Sequence, residues 1–489
     1  MTPRLRLLDL RDPKIVTLHL SWFAFFVTFL IWFNHAPLLA SIQASLGMSE
    51  QQVKGLLVLN VALTIPARIV IGMLVDRFGP RRTFSALLVL ASLVCLLVAS
   101  ARSFGELAVY RFLLGFVGAG FVIGIRLVGE WFPAKQLGLA EGIYGGFGNF
   151  GAAAAAIVLP TIAWLAGGPE GWRYAMAATG ALGLVYGGVF YWKVRDTPKG
   201  STYFRPKKNG GLEVTSVGDF FFLLLMNLPL YGALSLTLWK LGPTQLGLLP
   251  PAMLWLAGAL LVALFALQTQ QLHRVNRGVF ERRVPELQRY RFRQVAVLDV
   301  AYLVSFGSEL AVVSMLPLFF LQTFQGLGQV QASLLASGFA LMNLFARPGG
   351  GWLSDKLGRR RSLVVLSAGM LVGYLLLSRV DGRWPIPLAV VCMMGCSFFV
   401  QAACGAVFAV VPLVRRRMTG QIAGMVGAFG NVGGVLFLSV LSLVDYSTFF
   451  LVIAGGAAVS LVSALSLEEP KGHIAEVHDD GRVELLEVA

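Results

Sequence analysis

Twelve stretches of this chain stay apolar over the roughly 20 residues that a helix needs to cross a bilayer, and they fall into two groups of six. The first group lies at about 15–34, 53–75, 83–101, 106–129, 137–165 and 174–194. The second lies at about 295–322, 331–353, 362–379, 385–412, 419–442 and 447–466. Inside hydrocarbon the backbone satisfies its own N–H and C=O groups only in a helix or a closed barrel, and apolar runs of this length suit the helix. Of the 489 residues, 13% are charged, about half the share found in soluble domains. The expected fold class is an all-α polytopic membrane protein with two six-helix halves.

The stretch between the halves is not a plain polar linker. Asp219–Trp239 and Leu248–Leu267 are each apolar enough to span, with Pro250 and Pro251 near the start of the second. This predicts an inserted helical hairpin and about 14 spanning helices in all. Two helices lying in the membrane interface are the alternative. The expected domains are a first half over 1–195, a hairpin with a basic linker over 196–293, a second half over 294–467, and a polar tail over 468–489. The tail is mostly acidic and is expected to lack structure.

The net charge is +15, which in a soluble protein would suggest nucleic acid. Here the basic residues sit in short turns, as the excess of Lys and Arg on the cytoplasmic side of membrane proteins requires. They crowd the N-terminus, the turn after the second run (Arg77, Arg81, Arg82), the stretch after the sixth, the turn after the eighth (Lys356, Arg359, Arg360, Arg361) and the turn after the tenth (Arg415, Arg416, Arg417). No nucleic-acid partner is expected. Both termini are placed in the cytoplasm and the chain in the plasma (inner) membrane. The basic start followed by an apolar run resembles a signal peptide, but the unbroken hydrophobicity beyond it favours a retained first helix. Residues 271–293 carry seven arginines (Arg274, Arg277, Arg282, Arg283, Arg289, Arg291, Arg293). Such a stretch sits beside anionic lipid and also offers a docking surface to a cytoplasmic regulator. The bilayer is the other expected partner, and the chain is expected to be a monomer. Cys95, Cys392, Cys396 and Cys404 match no metal or redox spacing, and the five histidines are scattered. No metal, cofactor, nucleotide-binding loop or nucleophile–base pair is expected, which excludes an enzyme and leaves a gradient as the energy source.

Both halves carry the same unit. Arg68, Gly72, Asp76, Arg77, Gly79, Arg81 and Arg82 recur in order and spacing as Arg347, Gly351, Asp355, Lys356, Gly358, Arg360 and Arg361. This loop resembles the signature cytoplasmic loop of the major facilitator superfamily. Arg111–Gly120, an arginine followed by spaced glycines, resembles that superfamily's fourth-helix motif. Glycines let helices approach closely, and the acidic and basic residues at the turn can pair across the bundle. Asp76, Arg77, Asp355 and Lys356 are therefore expected to act as gate residues. Arg68 and Arg347 lie about two helical turns from the loop acids, inside apolar runs. A lone arginine there costs at least ~2.5–3.5 kcal/mol and is functional by default. Two related by internal symmetry would meet at the centre of the bundle and call for an anion. Their forked guanidinium groups suit a planar oxyanion.

A second element repeats. GGFGNFG begins at Gly145 and GAFGNVGG at Gly427, placing Asn149 and Asn431 among close-packing glycines. A buried amide needs partners, and its NH2 can donate to an oxyanion. The pair resembles the signature of the nitrate/nitrite porter family within the major facilitator superfamily. The whole chain, inserted hairpin included, is similar to the cyanobacterial-type nitrate permeases. The resemblance implies that nitrate is bound by Arg68, Arg347 and Asn149 and sandwiched by Phe121, Tyr302 and Phe306. It implies that Gly145, Gly427 and Asn431 shape the same site. With 35 phenylalanines in the chain, Phe121 and Phe306 stand out only through this match.

Asp299, Tyr302, Phe306 and Glu309 are spaced three, four and three, which is one helix face. Glu309, with Asp299, is thus the proton-coupling candidate; otherwise Glu309 partners a basic residue such as Arg126 or Arg111. The expected function is secondary transport of nitrate, with nitrite, by alternating access and proton-coupled import. Nitrate/nitrite exchange, carriage of another anion such as an organic phosphate, and nitrate sensing without turnover are the rival readings.

Overall fold

A computed structural model describes residues 6–205, 210–244, 247, 249–281, 289–327, 329–441, 443–469, 473–477 and 483–487. The first half holds α1 (Pro13–Phe33), the short α2 (Leu39–Leu46), α3 (Glu50–Ala62), α4 (Thr64–Phe78), α5 (Pro80–Ser100), α6 (Phe104–Leu114), α7 (Gly120–Trp131), α8 (Ala134–Ala166) and α9 (Gly171–Lys193). The insert supplies α10 (Val217–Leu241) and α11 (Pro251–Glu281). The second half holds α12 (Phe292–Thr323), α13 (Gln329–Leu341), α14 (Asn343–Leu357), α15 (Arg359–Leu377), α16 (Ile386–Phe408), α17 (Val411–Val414), α18 (Thr419–Leu441) and α19 (Tyr446–Ala464).

Polar residues begin several helices where apolar sequence resumes. Asp12 accepts from Lys14 N at the start of α1, Ser103 from Glu106 N at α6, and Ser216 from Asp219 N at α10. Each satisfies an N–H that the first turn leaves free. Gly79 and Gly358 turn the chain into α5 and α15 with φ of 87° and 95°, backbone that favours glycine. This is why the repeated loop keeps a glycine at that position.

Among the described residues thirteen helical stretches are long and apolar enough to span. The fourteenth expected span is present as α13 and α14, divided at Met342. Its counterpart, α3 and α4, is divided at Leu63. Both breaks fall five residues before an arginine, Arg68 or Arg347, a regularity the apolar pattern did not disclose. In the first half Pro66 lacks the N–H that would bond Ala62 O, which loosens the helix there. The fourth span loosens likewise: Gly115–Ala119 forms a 3-10 stretch between α6 and α7.

The two halves meet along two seams. α4 lies along α18, and α14 lies along α8. α3 and α13, the other arms of the same spans, make little contact with the opposite half. The halves are thus joined at one end and apart at the other. The joined end is also the basic end. Asp196, just past α9, accepts from Arg81 N at the start of α5 (2.7 Å), and Glu469, just past α19, accepts from Arg359 N (2.6 Å) and Arg360 N (2.9 Å) at the start of α15.

The insert folds as a hairpin, and α10 packs on α18, α12 and α3 across the first seam. Within it Gln268 donates to Asn227 (3.0 Å) and accepts from Tyr231 (2.5 Å), so these polar groups satisfy each other. Arg282 and Arg283 of the arginine-rich stretch lie outside the described residues. The acidic tail, expected to lack structure, contains an antiparallel pair, β1 (His473–Val477) and β2 (Val483–Glu487), with Ala475 opposite Leu485.

Candidate functional site

Arg68 is 1% exposed and Arg347 2%. They approach the same ring: their guanidinium carbons lie 5.2 Å and 5.5 Å from the centroid of Phe306. The π face of Phe306 thus serves both cations. Arg68 also lies 5.9 Å from the centroid of Phe121.

The two arginines differ in how their charge is met. Arg347 donates from Nη2 to Glu309 Oε2 at 2.6 Å and from Nε to Gln401 Oε1 at 3.3 Å. With its amide oxygen turned to the guanidinium, Asn149 accepts from Nη2 at 2.9 Å and Nη1 at 3.1 Å. Asn343, one turn before Arg347 on α14, donates to the other oxygen of Glu309 at 2.8 Å. Arg68 donates to the backbone carbonyls of Gly427 at 2.5 Å and Gly118 at 3.3 Å, and Tyr302 is a further side-chain hydrogen-bond partner. Gly118 belongs to the 3-10 stretch of the fourth span. Arg68 has no carboxylate partner among the described residues. Among the described residues Glu309 is the one carboxylate that pairs with either guanidinium group, so Arg68 is left without a counter-ion.

Aromatic rings wall the site. Phe121 and Tyr302 lie parallel, 1° apart in orientation, with centroids 6.4 Å apart. Tyr302 is parallel to Phe306 at 5.0 Å. Phe408 stands edge-on to Phe121 (4.5 Å) and to Tyr302 (4.7 Å). Glycines admit these groups. A Cβ on Gly427 would lie 3.0 Å from Arg68 Cδ, tighter than an ordinary contact, whereas one on Gly145 would meet Arg347 Nη1 at 3.5 Å, an ordinary van der Waals distance. Gly430, in the same run, faces Tyr302 and Phe306 at a distance no side chain permits. Asn431 is 0% exposed, and neither its amide N nor its O has a partner among the described residues.

The carboxylate stripe of α12 divides. Glu309 meets Arg347. Asp299 is fully buried, with neither oxygen partnered among the described residues. The arginines suggested as other partners for Glu309 are engaged elsewhere. Arg111 donates to Asn34, Trp32 O and Asn60. Arg126 pairs with Asp76 (3.3 Å) and Glu130 (3.0 Å).

At the basic end each seam carries a latch. Asp76 of α4 accepts from Gly420 N (2.9 Å) and Gln421 N (2.8 Å) in the first turn of α18. Asp355 of α14 accepts from Gly138 N (2.9 Å) and Leu139 N (2.8 Å) near the start of α8. Each carboxylate thus binds the positive end of a helix in the opposite half. Gly72 faces the Gly420 carbonyl and Gly351 the Gly138 carbonyl, with no room for a side chain at either crossing.

Arg77 and Lys356 make no ion pair with these acids among the described residues. Arg77 is exposed and stacks on Phe78 (5.1 Å), and Lys356 is exposed. Both side chains lie a helical step away from the buried acid that precedes them. Arg126 takes the place of Arg77, and Arg359, which pairs with Asp355 and donates to Ala134 O (2.6 Å), takes that of Lys356. Glu130 also reaches across the seam to Arg416 at 3.0 Å. The segment after α9 closes the first latch: Tyr203 donates to Val75 O (2.7 Å), and Phe204 O accepts from Arg126 Nη2 (2.7 Å). Gln401, Phe408 and Asn343 escaped the reading of the sequence, and Arg126 entered it only as an alternative partner of Glu309. Arg126 alone carried a signal there, as a further lone arginine in an apolar run.

The profile of the Major Facilitator Superfamily matches residues 21–281 and 298–487. The nitrate/nitrite transporter NrtP of Picosynechococcus sp. is 47% identical over 94% of this chain and 94% of its own length. That of Nostoc punctiforme is 45% identical over 94% of each chain. A probable nitrate/nitrite antiporter, NarK1 of Thermus thermophilus, is 27% identical over 87% of this chain and 84% of its own. Among solved structures, the fucose:proton symporter of E. coli superposes with a TM-score of 0.62 at 12% identity, covering 94% of this chain and all of that one. A variant of the xylose transporter XylE gives 0.64 at 14%, covering 94% and 97%. These likenesses carry the fold. Matched over nearly its whole length by profile and relatives, the chain belongs to the major facilitator superfamily and, within it, to the nitrate/nitrite porter family.

Proposed function

We propose that the protein is a secondary transporter that carries nitrate, and nitrite with it, inward across the plasma membrane by alternating access. The observation that carries this reading is the unmatched charge of Arg68 beside the ion-paired Arg347. While Glu309 is ionised, one monovalent anion between the two guanidinium groups completes the balance. The parallel rings of Phe121 and Tyr302 favour a flat anion, and the names borne by the relatives supply its identity. The excess of Lys and Arg at the joined end supports placing that end, and both termini, in the cytoplasm. The structure described above then corresponds to a form closed to the cytoplasm.

In this mechanism nitrate enters from the open end and accepts hydrogen bonds from Arg68 and Arg347. It competes with Gly427 O for the first and with Glu309 for the second. Asn149 and Asn431 complete its shell through their amide groups. With the anion bound, repulsion between the guanidinium groups falls and the halves close around it. The latches at Asp76 and Asp355 then open and release it to the cytoplasm. Importing an anion against an inside-negative potential costs about 2.3 kcal/mol per charge per 100 mV. A proton on Glu309 frees Arg347 for the anion and brings a positive charge inward with it, so Glu309 is the coupling residue in this reading. Asp299 is a second proton site on the same helix face.

The test is nitrate uptake into proteoliposomes, with an inward proton gradient or with nitrite inside. Uptake driven by the proton gradient alone is the expected result. Uptake seen only with nitrite inside would replace proton coupling by exchange. Competition by phosphate esters would move the substrate class to organic phosphates. Nitrate binding without uptake under either condition would make the protein a sensor.

A further inference from the structure

The inserted hairpin does not pack flush against the bundle. Between α10 and α11 on one side and the first seam on the other lies a crevice of about 1070 Å³. Its walls are aliphatic and aromatic and include Ile69 and Met73 of α4, Phe112 of α6, Leu234 of α10, Leu264 of α11 and Met425 of α18. Hydrocarbon-facing space of this size does not stay empty, because its lining would lose its dispersion contacts, and water gains nothing from such walls. α11 runs about 26 Å from Ala257 to Arg274 along it, at 1.5 Å per residue, close to the ~30 Å of a hydrocarbon core. The crevice therefore lies along the bilayer's depth and takes acyl chains from the side.

One end of the crevice is charged. Arg274 lines it at the basic end, beside Gln270 and the backbone of Gly210 and Gly211. Arg274 is exposed and makes no ion pair among the described residues. Arg277, one turn on, is paired with Glu281 at 2.7 Å. An unpaired guanidinium at headgroup depth, above an apolar slot, complements a phosphate that carries acyl chains. We propose that the crevice binds an anionic phospholipid from the leaflet on the basic side, its headgroup at Arg274 and its chains between the hairpin and the seam.

The position of the crevice gives this lipid a mechanical role. Ile69 and Met73 share a helix with Arg68 and Asp76. Met425 and Gln421 lie in the first turns of α18, where Gln421 N donates to Asp76. A lipid in the crevice thus touches both helices that carry the first latch from outside and supports the form in which it is closed.

The experiment is native mass spectrometry of the full chain after mild delipidation and titration with equal amounts of phosphatidylglycerol and phosphatidylcholine. The variants are Arg274→Gln and Ala257→Trp, the second placing a large ring in the slot. The native chain should retain phosphatidylglycerol in preference. Arg274→Gln should lose about fivefold of that preference, the worth of one basic residue near an anionic headgroup. Ala257→Trp should retain less of both lipids. Equal retention of the two lipids by the native chain would overturn the proposal, and that arm needs no variant. So would an unchanged preference in Arg274→Gln, unchanged retention in Ala257→Trp, or a retained mass that is a peptide rather than a phospholipid.

Discussion

At the scale of single residues, the site is set by two arginines that look alike in sequence and differ in the fold. Arg347 is held by a carboxylate, Glu309, with Gln401 and Asn149, whereas Arg68 rests on two carbonyls and the neutral Tyr302. The mechanism assigns the unmatched charge to Arg68 and the proton to Glu309. Glu309→Gln keeps the shape and the hydrogen bond from Asn343 but cannot exchange a proton. Stimulation of uptake by an inward pH gradient should disappear in this variant while nitrate/nitrite exchange persists. Initial rates at several imposed gradients decide it, and a retained gradient response would remove Glu309 from the coupling step. Asn431→Ala should cost about 1 kcal/mol in nitrate affinity, or roughly fivefold, because it removes one neutral hydrogen bond to the anion. If its buried amide serves packing alone, nitrate affinity will not change and thermal stability will carry the whole effect.

The sequence made some of these residues plain and hid others, for physical reasons. Arg68 and Arg347 were legible because a cation inside an apolar run stands out, and because one offset relates the two. The spacing of Tyr302, Phe306 and Glu309 on one helix face was legible for the same kind of reason. The partner of Glu309 was not, since it depends on how α12 and α14 are rotated about their axes. Phe408 was hidden among 35 phenylalanines, and Gln401 is a single amide in an apolar helix.

At the scale of elements, the two latches make one argument twice. Each pairs a carboxylate with the N–H groups at the start of a helix in the opposite half, over a glycine crossing that excludes side chains. Replacing Asp76 or Asp355 by Asn removes the charge but keeps the shape, and the interaction of a carboxylate with a helix N-terminus is worth ~0.3–2 kcal/mol. Each variant should therefore populate the form open at the basic end more than the native chain does. Distances between spin labels on the two halves at that end report the shift, and unchanged distance distributions would count against a latch. Gly72→Ala and Gly351→Ala should act more strongly, because a methyl group there meets the facing carbonyl. Transport should be lost in both with the fold retained. The acids of the latches were visible in the repeated loop. Which cations meet them was not, because Arg77 and Lys356 follow the acids in sequence while Arg126 and Arg359 reach them in space.

At the scale of the whole molecule, an internal repeat is used three times over. It breaks the second and eighth spans five residues before each arginine, it places Asn149 and Asn431 on the long helices α8 and α18, and it builds a latch on each seam. The number and order of spans followed from the apolar runs. The breaks at Leu63 and Met342 did not, because an interrupted helix and a continuous one have the same hydropathy. The inserted hairpin stands outside the repeat and rests on one seam only, which makes the two halves unequal where they move.

The central claim is that the arginine pair, short of one negative charge, is the site of the anion. Equilibrium binding of nitrate to the purified chain, compared with Arg68→Lys and Arg347→Lys, tests it most directly. Lysine keeps the charge and loses the fork. Loss of one charge-assisted hydrogen bond, about 1.5–3 kcal/mol, should weaken nitrate binding roughly 10- to 100-fold in each variant, with chloride binding affected less. Nitrate affinity equal to that of the native chain in either variant would place the anion somewhere else.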